Sequence, residues 1–145
     1  MILKGSITIA PRQKDRPKLT KTGHAYNTKG TKDAQRQQAF LFRSLARKAN
    51  LQTPIDDSLN LDVTVRFFHR GGVENEPKRT KPDIDNLLKL TLDALTNAGI
   101  WRDDNQITKL VSEDFWAGDN PGRIEIEIQE HITNSPQQLT LDMEA

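Results

Sequence analysis

The stretch from Lys81 to Gly99, KPDIDNLLKLTLDALTNAG, constrains the fold more than any other part of the chain. Ile84, Leu87, Leu88, Thr91, Leu95 and Ala98 recur at steps of three and four, with Leu92 adjoining. That spacing marks a helix with one apolar stripe. Pro82 and an Asp stand at its entrance, and Gly99 suits its closure. Such a helix is marginal alone in water, so its stripe demands a surface to pack on.

The flanking segments supply that surface. Ser6 to Ile9 alternates polar and apolar and predicts a first strand. Leu61, Val63, Val65 and Phe67 alternate with Asp62, Thr64 and Arg66, as in a half-buried strand. Strand-like segments also run from Ile107 to Phe115 and from Arg123 to Gln129. Gly118-Asp119-Asn120-Pro121-Gly122 between them signals a hairpin. An earlier helix is predicted from Asp33 to Ala49 on the spacing of Ala34, Leu41, Leu45 and Ala49, with Phe42 and Ala46 beside them. Arg36, Arg43, Arg47 and Lys48 fall elsewhere on its surface. The order strand, helix, strand, helix, strand, strand predicts an α+β fold, one mixed β-sheet with two helices packed on it.

A chain of 145 residues suits a single domain, here expected over residues 1–132, with a basic loop at 11–32 and a flexible polar tail at 133–145. A second irregular stretch runs from Arg70 to Thr80. Mean hydropathy of −0.70 is low for a globular chain, so the core is expected to be modest or to be completed by dimerisation. The absence of cysteine excludes disulfides, thiolate nucleophiles and Cys-based zinc sites, and fits a cytoplasmic setting. No apolar run reaches the length of a membrane span, and the opening MILKGSITIAP alternates too regularly for a signal peptide.

Charge is unevenly placed. Residues 1–50 carry 12 Lys/Arg against Asp15 and Asp33 alone, whereas residues 51–145 carry 9 against 18 Asp/Glu. The basic half suggests a polyanionic partner. Carboxylates that face a polyanion need a reason, and a divalent cation is the usual one. Asp83 and Asp85 are two apart before the helix, so both side chains point the same way there. Asp103 and Asp104 follow in the next loop, and Asp104 must fold back to join the first pair. Two or three carboxylates with a phosphate oxygen suit Mg²⁺, and Lys89 stands near the same helix entrance. Plain structural roles account for the same residues. Asp85 suits a helix N-cap, Asp83 favours the positive helix end, Asp103-Asp104-Asn105 is an ordinary turn, and Lys89 with Asp93 makes a surface pair. Spacing does not choose between the two readings.

Lys81 to Ile107, KPDIDNLLKLTLDALTNAGIWRDDNQI, resembles the signature of the RusA-type Holliday junction resolvases. The features are Asp83, Asp85 and Asn86, then Lys89, Asp93-Ala94-Leu95, Gly99 and Asp103-Asp104, in an unbroken run. Pro11, Lys14, Arg16-Pro17-Lys18, Thr20, Gly23 and Tyr26 are similar to the basic arm common in that family, although Lys18 stands where Arg is frequent. The resemblance implies a homodimeric, bacterial or phage-encoded endonuclease that needs Mg²⁺ or Mn²⁺ and cuts four-way DNA junctions in recombination and repair. It implies Asp83, Asp85 and Asp104 as metal ligands and Lys89 as a further catalytic residue, with Asp103 set aside. A four-way junction and a dimer share two-fold symmetry, so two sites can nick opposed strands.

Branch recognition rests mainly on shape and phosphate charge. The DNA-contact candidates are therefore Lys14, Arg16, Lys18, Lys21 and Lys29, with Lys78, Arg79 and Lys81 near the acidic site; Tyr26 is a candidate for stacking on a base. Residues 138–143, QLTLDM, are similar to peptides that dock on the bacterial sliding clamp. Other readings are a nuclease for flaps or forks, and a branched-DNA-binding accessory protein that does not cut.

Overall fold

The computed structural model describes residues 1–133, 136, 137, 139–141, 143 and 144. The elements are β1 (Leu3–Thr8), β2 (Lys18–Leu19), β3 (Ala25–Tyr26), α1 (Lys29–Lys48), β4 (Leu61–Arg70), α2 (Ile84–Asn97), a 3-10 turn (Asp104–Gln106), β5 (Ile107–Gly118) and β6 (Arg123–Glu130). Leu61, Val63, Val65 and Phe67 of β4 are fully buried and form the centre of the core with Ile124, Ile126 and Ile128 of β6. The two helices add Phe42, Ala46, Leu87 and Leu95 to it, and α1 also packs on β1. The architecture is α+β, a mixed sheet with two helices.

The sheet order is β1-β6-β4-β5, with β4 parallel to β5 and antiparallel to β6. This overturns the predicted hairpin of β5 with β6. Gly118 to Gly122 carries the chain across the end of β4, where Gly71 and Gly118 exchange backbone hydrogen bonds of 2.7 and 2.9 Å. Turn chemistry marks a reversal but does not select the neighbour. The most apolar strand is hydrogen-bonded on both edges, and β5 is left outside with residues 108–111 exposed.

The basic loop is also shorter than predicted. It contains a small hairpin, β2 with β3, which pairs Lys18 with Tyr26. Helix α1 begins at Lys29, four residues before the expected Asp33, because Thr28 caps it and accepts from Thr31 N–H at 3.2 Å. Thr28 Oγ1 also donates to Asp15 at 2.8 Å, which ties the arm to the helix start.

Helix α2 ends as its sequence predicts. Gly99, at φ +75°, donates to Thr96 O at 3.0 Å, and Ile100 donates to Leu95 O at 3.2 Å. These are the two bonds of a Schellman closure, and the positive φ is what requires glycine there.

Candidate active site

Asp83 occupies the N-cap position of α2, yet its side chain makes no capping hydrogen bond. A carboxylate at a helix N-terminus normally satisfies one of the free N–H groups. Asp83 instead lines a shallow hollow with Lys78, Arg79, Thr80, Pro82, Ile84 and Asp114. Lys78 is fixed there, donating to Thr80 O at 2.7 Å and Lys81 O at 3.1 Å with its ammonium 5.4 Å from the centre of the Trp116 ring. Asp114 accepts from His69 Nε2 at 2.7 Å, and both side chains are nearly buried. A carboxylate has no proton to give, so that ring nitrogen carries the hydrogen. Asp85 lies in the first turn of α2, exposed, with Lys89 Nζ 3.9 Å away. Lys89 therefore pairs backwards with Asp85 rather than forwards with Asp93.

Asp104 sits on a loop pinned from both sides. Trp101 before it is buried and donates to Thr96 Oγ1 at 2.8 Å. Gln106 after it donates to Asp56 O at 2.6 Å. Asp103 accepts from Asn105 N–H at 3.0 Å and caps the short turn, which leaves the Asp104 carboxyl free of that duty. Burial, then the hydrogen bond to Asp103 and its charge, then the charge of Asp93, push the Asp104 carboxyl above the usual range. Asp93 in turn accepts from Lys14 Nζ at 3.0 Å and Gln35 Nε2 at 3.2 Å.

The structure thus makes two acidic groups. Asp83 and Asp85 stand at the start of α2 beside Asp114. Asp104 and Asp103 stand near the start of β5, beside Asp93. Among the described residues, no three His, Asp or Glu side chains stand close enough to hold a metal ion. The folding back of Asp104 onto Asp83 and Asp85 does not occur within the chain. The separation follows from topology. Asp83 lies beside Asp114, while Leu92 and Asp104 lie beside Ile107, so α2 runs against β5. Ile107 and Asp114 are roughly 23 Å apart along an extended strand. In kind the donors suit a hard cation, since all are carboxylates and Asp104 already suffers from an excess of negative charge.

Among the DNA-contact candidates, Arg16, Lys18, Lys21, Lys29, Arg79 and Lys81 are exposed. Lys78 is partly buried in the hollow, and Lys14 is tied to Asp93. Tyr26 is exposed beside Lys18. The sequence does not single out the His69–Asp114 pair or Gln35, and Asp93, expected as a surface partner of Lys89, pairs with Lys14 and Gln35 instead. Asp114 shares one face of β5 with Ser112 and Trp116, and nothing local sets it apart from an ordinary strand residue.

The family model described as endodeoxyribonuclease RusA matches residues 8–129. The crossover junction endodeoxyribonuclease RusA of Escherichia coli (strain K12) is 43% identical over 56 residues, 37% of this chain and 44% of that protein. The corresponding proteins of Enterobacteria phage 82 and Shigella sonnei (strain Ss046) show the same identity and coverage. The aligned stretch spans less than half the length of each relative.

Proposed function

Because the chain belongs to the endodeoxyribonuclease RusA family, we propose that it is a Mg²⁺-dependent endonuclease that resolves four-way (Holliday) DNA junctions by paired nicks, in recombination and repair. The observation that carries this reading is Asp83: a carboxylate in capping position that caps nothing and opens onto a hollow also lined by Lys78 and Arg79. A purely structural Asp there would be bonded to the helix end.

Asp83, Asp85 and Asp104 would hold the cation, with Mn²⁺ as a substitute. When bound, it supplies Lewis-acid polarisation of the scissile phosphate. The chain's own residues do the rest. Lys89, held near the mouth by Asp85, supplies positive charge for the developing phosphorane. Lys78 and Arg79 take the neighbouring phosphate. Arg16, Lys18, Lys21, Lys29 and Lys81 bind the backbone around the branch through charge, without reading sequence.

A second copy of the chain completes the site. The outer edge of β5 is covered at its far end, where Lys78 N–H donates to Asp114 O at 3.0 Å and Trp116 N–H to Glu76 O at 2.9 Å. Before that no strand among the described residues pairs with it, and Leu110 there is 42% exposed. Ile84, 38% exposed, with the half-buried Leu88 and Leu92, continues this apolar seam along α2. An open edge beside an apolar seam is a self-complementary surface. Antiparallel pairing of β5 with its copy covers the seam and turns the Asp104 end of one protomer toward the Asp83 end of its partner.

Residues 138–143 are further proposed to dock on a sliding clamp. Leu139, Leu141 and Met143 are exposed, while Gln138 and Asp142 lie outside the described residues. An unchanged clamp pull-down after deletion of residues 136–145 rejects this.

Purified protein on synthetic four-way junctions, with Mg²⁺ or with EDTA, tests the main reading. Symmetric nicks that need the metal and vanish in Asp83→Asn are expected. Binding without cutting, indifferent to metal, overturns it in favour of an accessory role, and preferential cutting of flap or fork controls moves the activity to those substrates.

A further inference from the structure

One row of charges lies, apart from Lys29, outside the site described above. At about 100° per residue, Lys29, Lys32, Arg36, Phe40, Arg43 and Arg47 of α1 fall within an arc of about 80°. All six are exposed, Phe40 to 63%. Together they form a straight ridge of five cations about 27 Å long. Among the described residues, only Arg36 of these has a carboxylate within ion-pair reach, Asp33 at 3.6 Å, and that pair is itself largely exposed. An exposed pair contributes little and yields readily to another anion.

The ridge is unfavourable for the isolated helix. Lys32 with Arg36 and Arg43 with Arg47 are like charges four residues apart, which repel across one turn. An extended polyanion removes that repulsion along the whole row. DNA strands present one phosphate per 3.4 Å of rise, so the ridge spans about eight base-pair steps. An anionic membrane fits less well. A helix that lies in a membrane surface offers its apolar face to lipid, and in α1 that face (Ala34, Ala39, Phe42, Ala46) is buried in the protein.

The position of the ridge selects the part of the substrate. Arg43 donates to Asn97 O at 3.3 Å, at the last turn of α2. Asp83 stands at the opposite end of that helix, roughly 20 Å away. We propose that the α1 ridge binds the phosphate backbone of a duplex arm of the junction, away from the Asp83 end of α2 in its own protomer. This rests on the branched-DNA nuclease reading.

The test uses the full chain and the triple variant Arg36→Gln, Arg43→Gln, Arg47→Gln, whose exposed side chains leave the core untouched. Binding to a labelled long-armed junction is followed in EDTA against salt concentration. The variant is expected to bind about tenfold or more weakly at moderate salt, with the slope of log K against log[salt] reduced by about 2 to 3. With Mg²⁺, KM should rise while kcat stays within about twofold. On a junction with truncated arms, the two proteins should bind alike. Equal affinity and slope on long arms overturn the ridge, and so does an equal loss on truncated arms. Loss of binding to anionic vesicles with DNA binding unchanged overturns it in favour of a membrane. Wild type that cuts junctions while the variant binds as tightly overturns this inference alone. Wild type that binds duplex through the ridge but cuts nothing supports the ridge and overturns the nuclease reading.

Discussion

Lys14 Nζ lies 3.0 Å from Asp93 Oδ2, bridging the basic arm and the acidic loop region. The same carboxylate takes Gln35 of α1, and its charge acts on Asp104. The backbone N–H of Lys14 donates to Asn86 O at 3.1 Å, in the first turn of α2. One arm residue thus touches α2 near both acidic groups.

This pairing separates two kinds of lysine in the arm. The charge of Lys14 is already answered within the fold, whereas Lys18 is exposed and has no such partner among the described residues. Lys18→Gln should lower the salt slope of junction binding by about 1. Lys14→Gln should lower it by clearly less and instead destabilise the protein by up to about 1 kcal/mol. Binding titrations over a salt series, with thermal melts of both variants, check this. A full unit of slope lost in Lys14→Gln would mean that the pair with Asp93 opens on DNA.

Asp83→Asn should separate folding from function. Its side chain caps nothing, so the melting temperature should stay within the range of a neutral surface change, about 0.5 kcal/mol. Loss of a cation ligand withdraws several kcal/mol from the transition state, so cutting should fall at least about 10²-fold. Calorimetry and single-turnover nicking on the same preparation decide it. A variant that melts much lower would make Asp83 a helix-start residue.

Asp104 makes a pH-dependent prediction. Its carboxyl holds its proton more tightly in the folded chain than in the unfolded chain, mainly through burial and then through Asp103 and Asp93. The fold disfavours the charged form. Metal-free protein should therefore lose stability as pH rises from the ordinary Asp value of 3.8 through the raised value, and stay lowered above it. Asp104→Asn removes that charge, so it should melt higher than wild type at neutral pH while failing to cut. The two curves should converge below the ordinary Asp value. Mg²⁺ should raise the melting temperature of wild type more than that of the variant. Parallel melting curves across the whole pH range would show that the Asp104 charge carries no such cost.

What the sequence discloses follows the range of the forces involved. The α2 stripe, its Gly99 closure and the placing of Asp83, Asp85 and Lys89 at one helix end depend on residues a few positions apart, and all are legible in the string. The start of α1 is equally local, yet Thr28 with Thr31 is masked by the surrounding basic residues. The sequence predicts a β5–β6 hairpin because Gly118 to Gly122 records a reversal, while the choice of neighbour belongs to β4, some fifty residues earlier. The surroundings of Asp104 were illegible for the same reason. Asp93 acts on Asp104, and Lys14 and Gln35 reach Asp93 only after the arm and both helices have packed.

The two separated acidic groups give the sharpest prediction. If each site takes Asp83 and Asp85 from one protomer and Asp104 from the other, Asp83→Asn and Asp104→Asn should each be inactive as pure proteins. Mixed after subunit exchange, they form a heterodimer in which one site carries both substitutions and the other carries none. The mixture should therefore regain nicking, confined to one strand per junction, because the intact site acts alone. A site contained within one chain would leave every site of the heterodimer with one substitution, and no mixture would recover. Leu110→Lys places a charge on the open edge of β5, and in wild-type background it should shift the protein to monomer in sedimentation and cost both cutting and recovery. Recovery on mixing ties the chemistry to the pairing of two copies; failure to recover, with dimers still present, returns all three carboxylates to one chain and requires the Asp104 loop to move on metal binding.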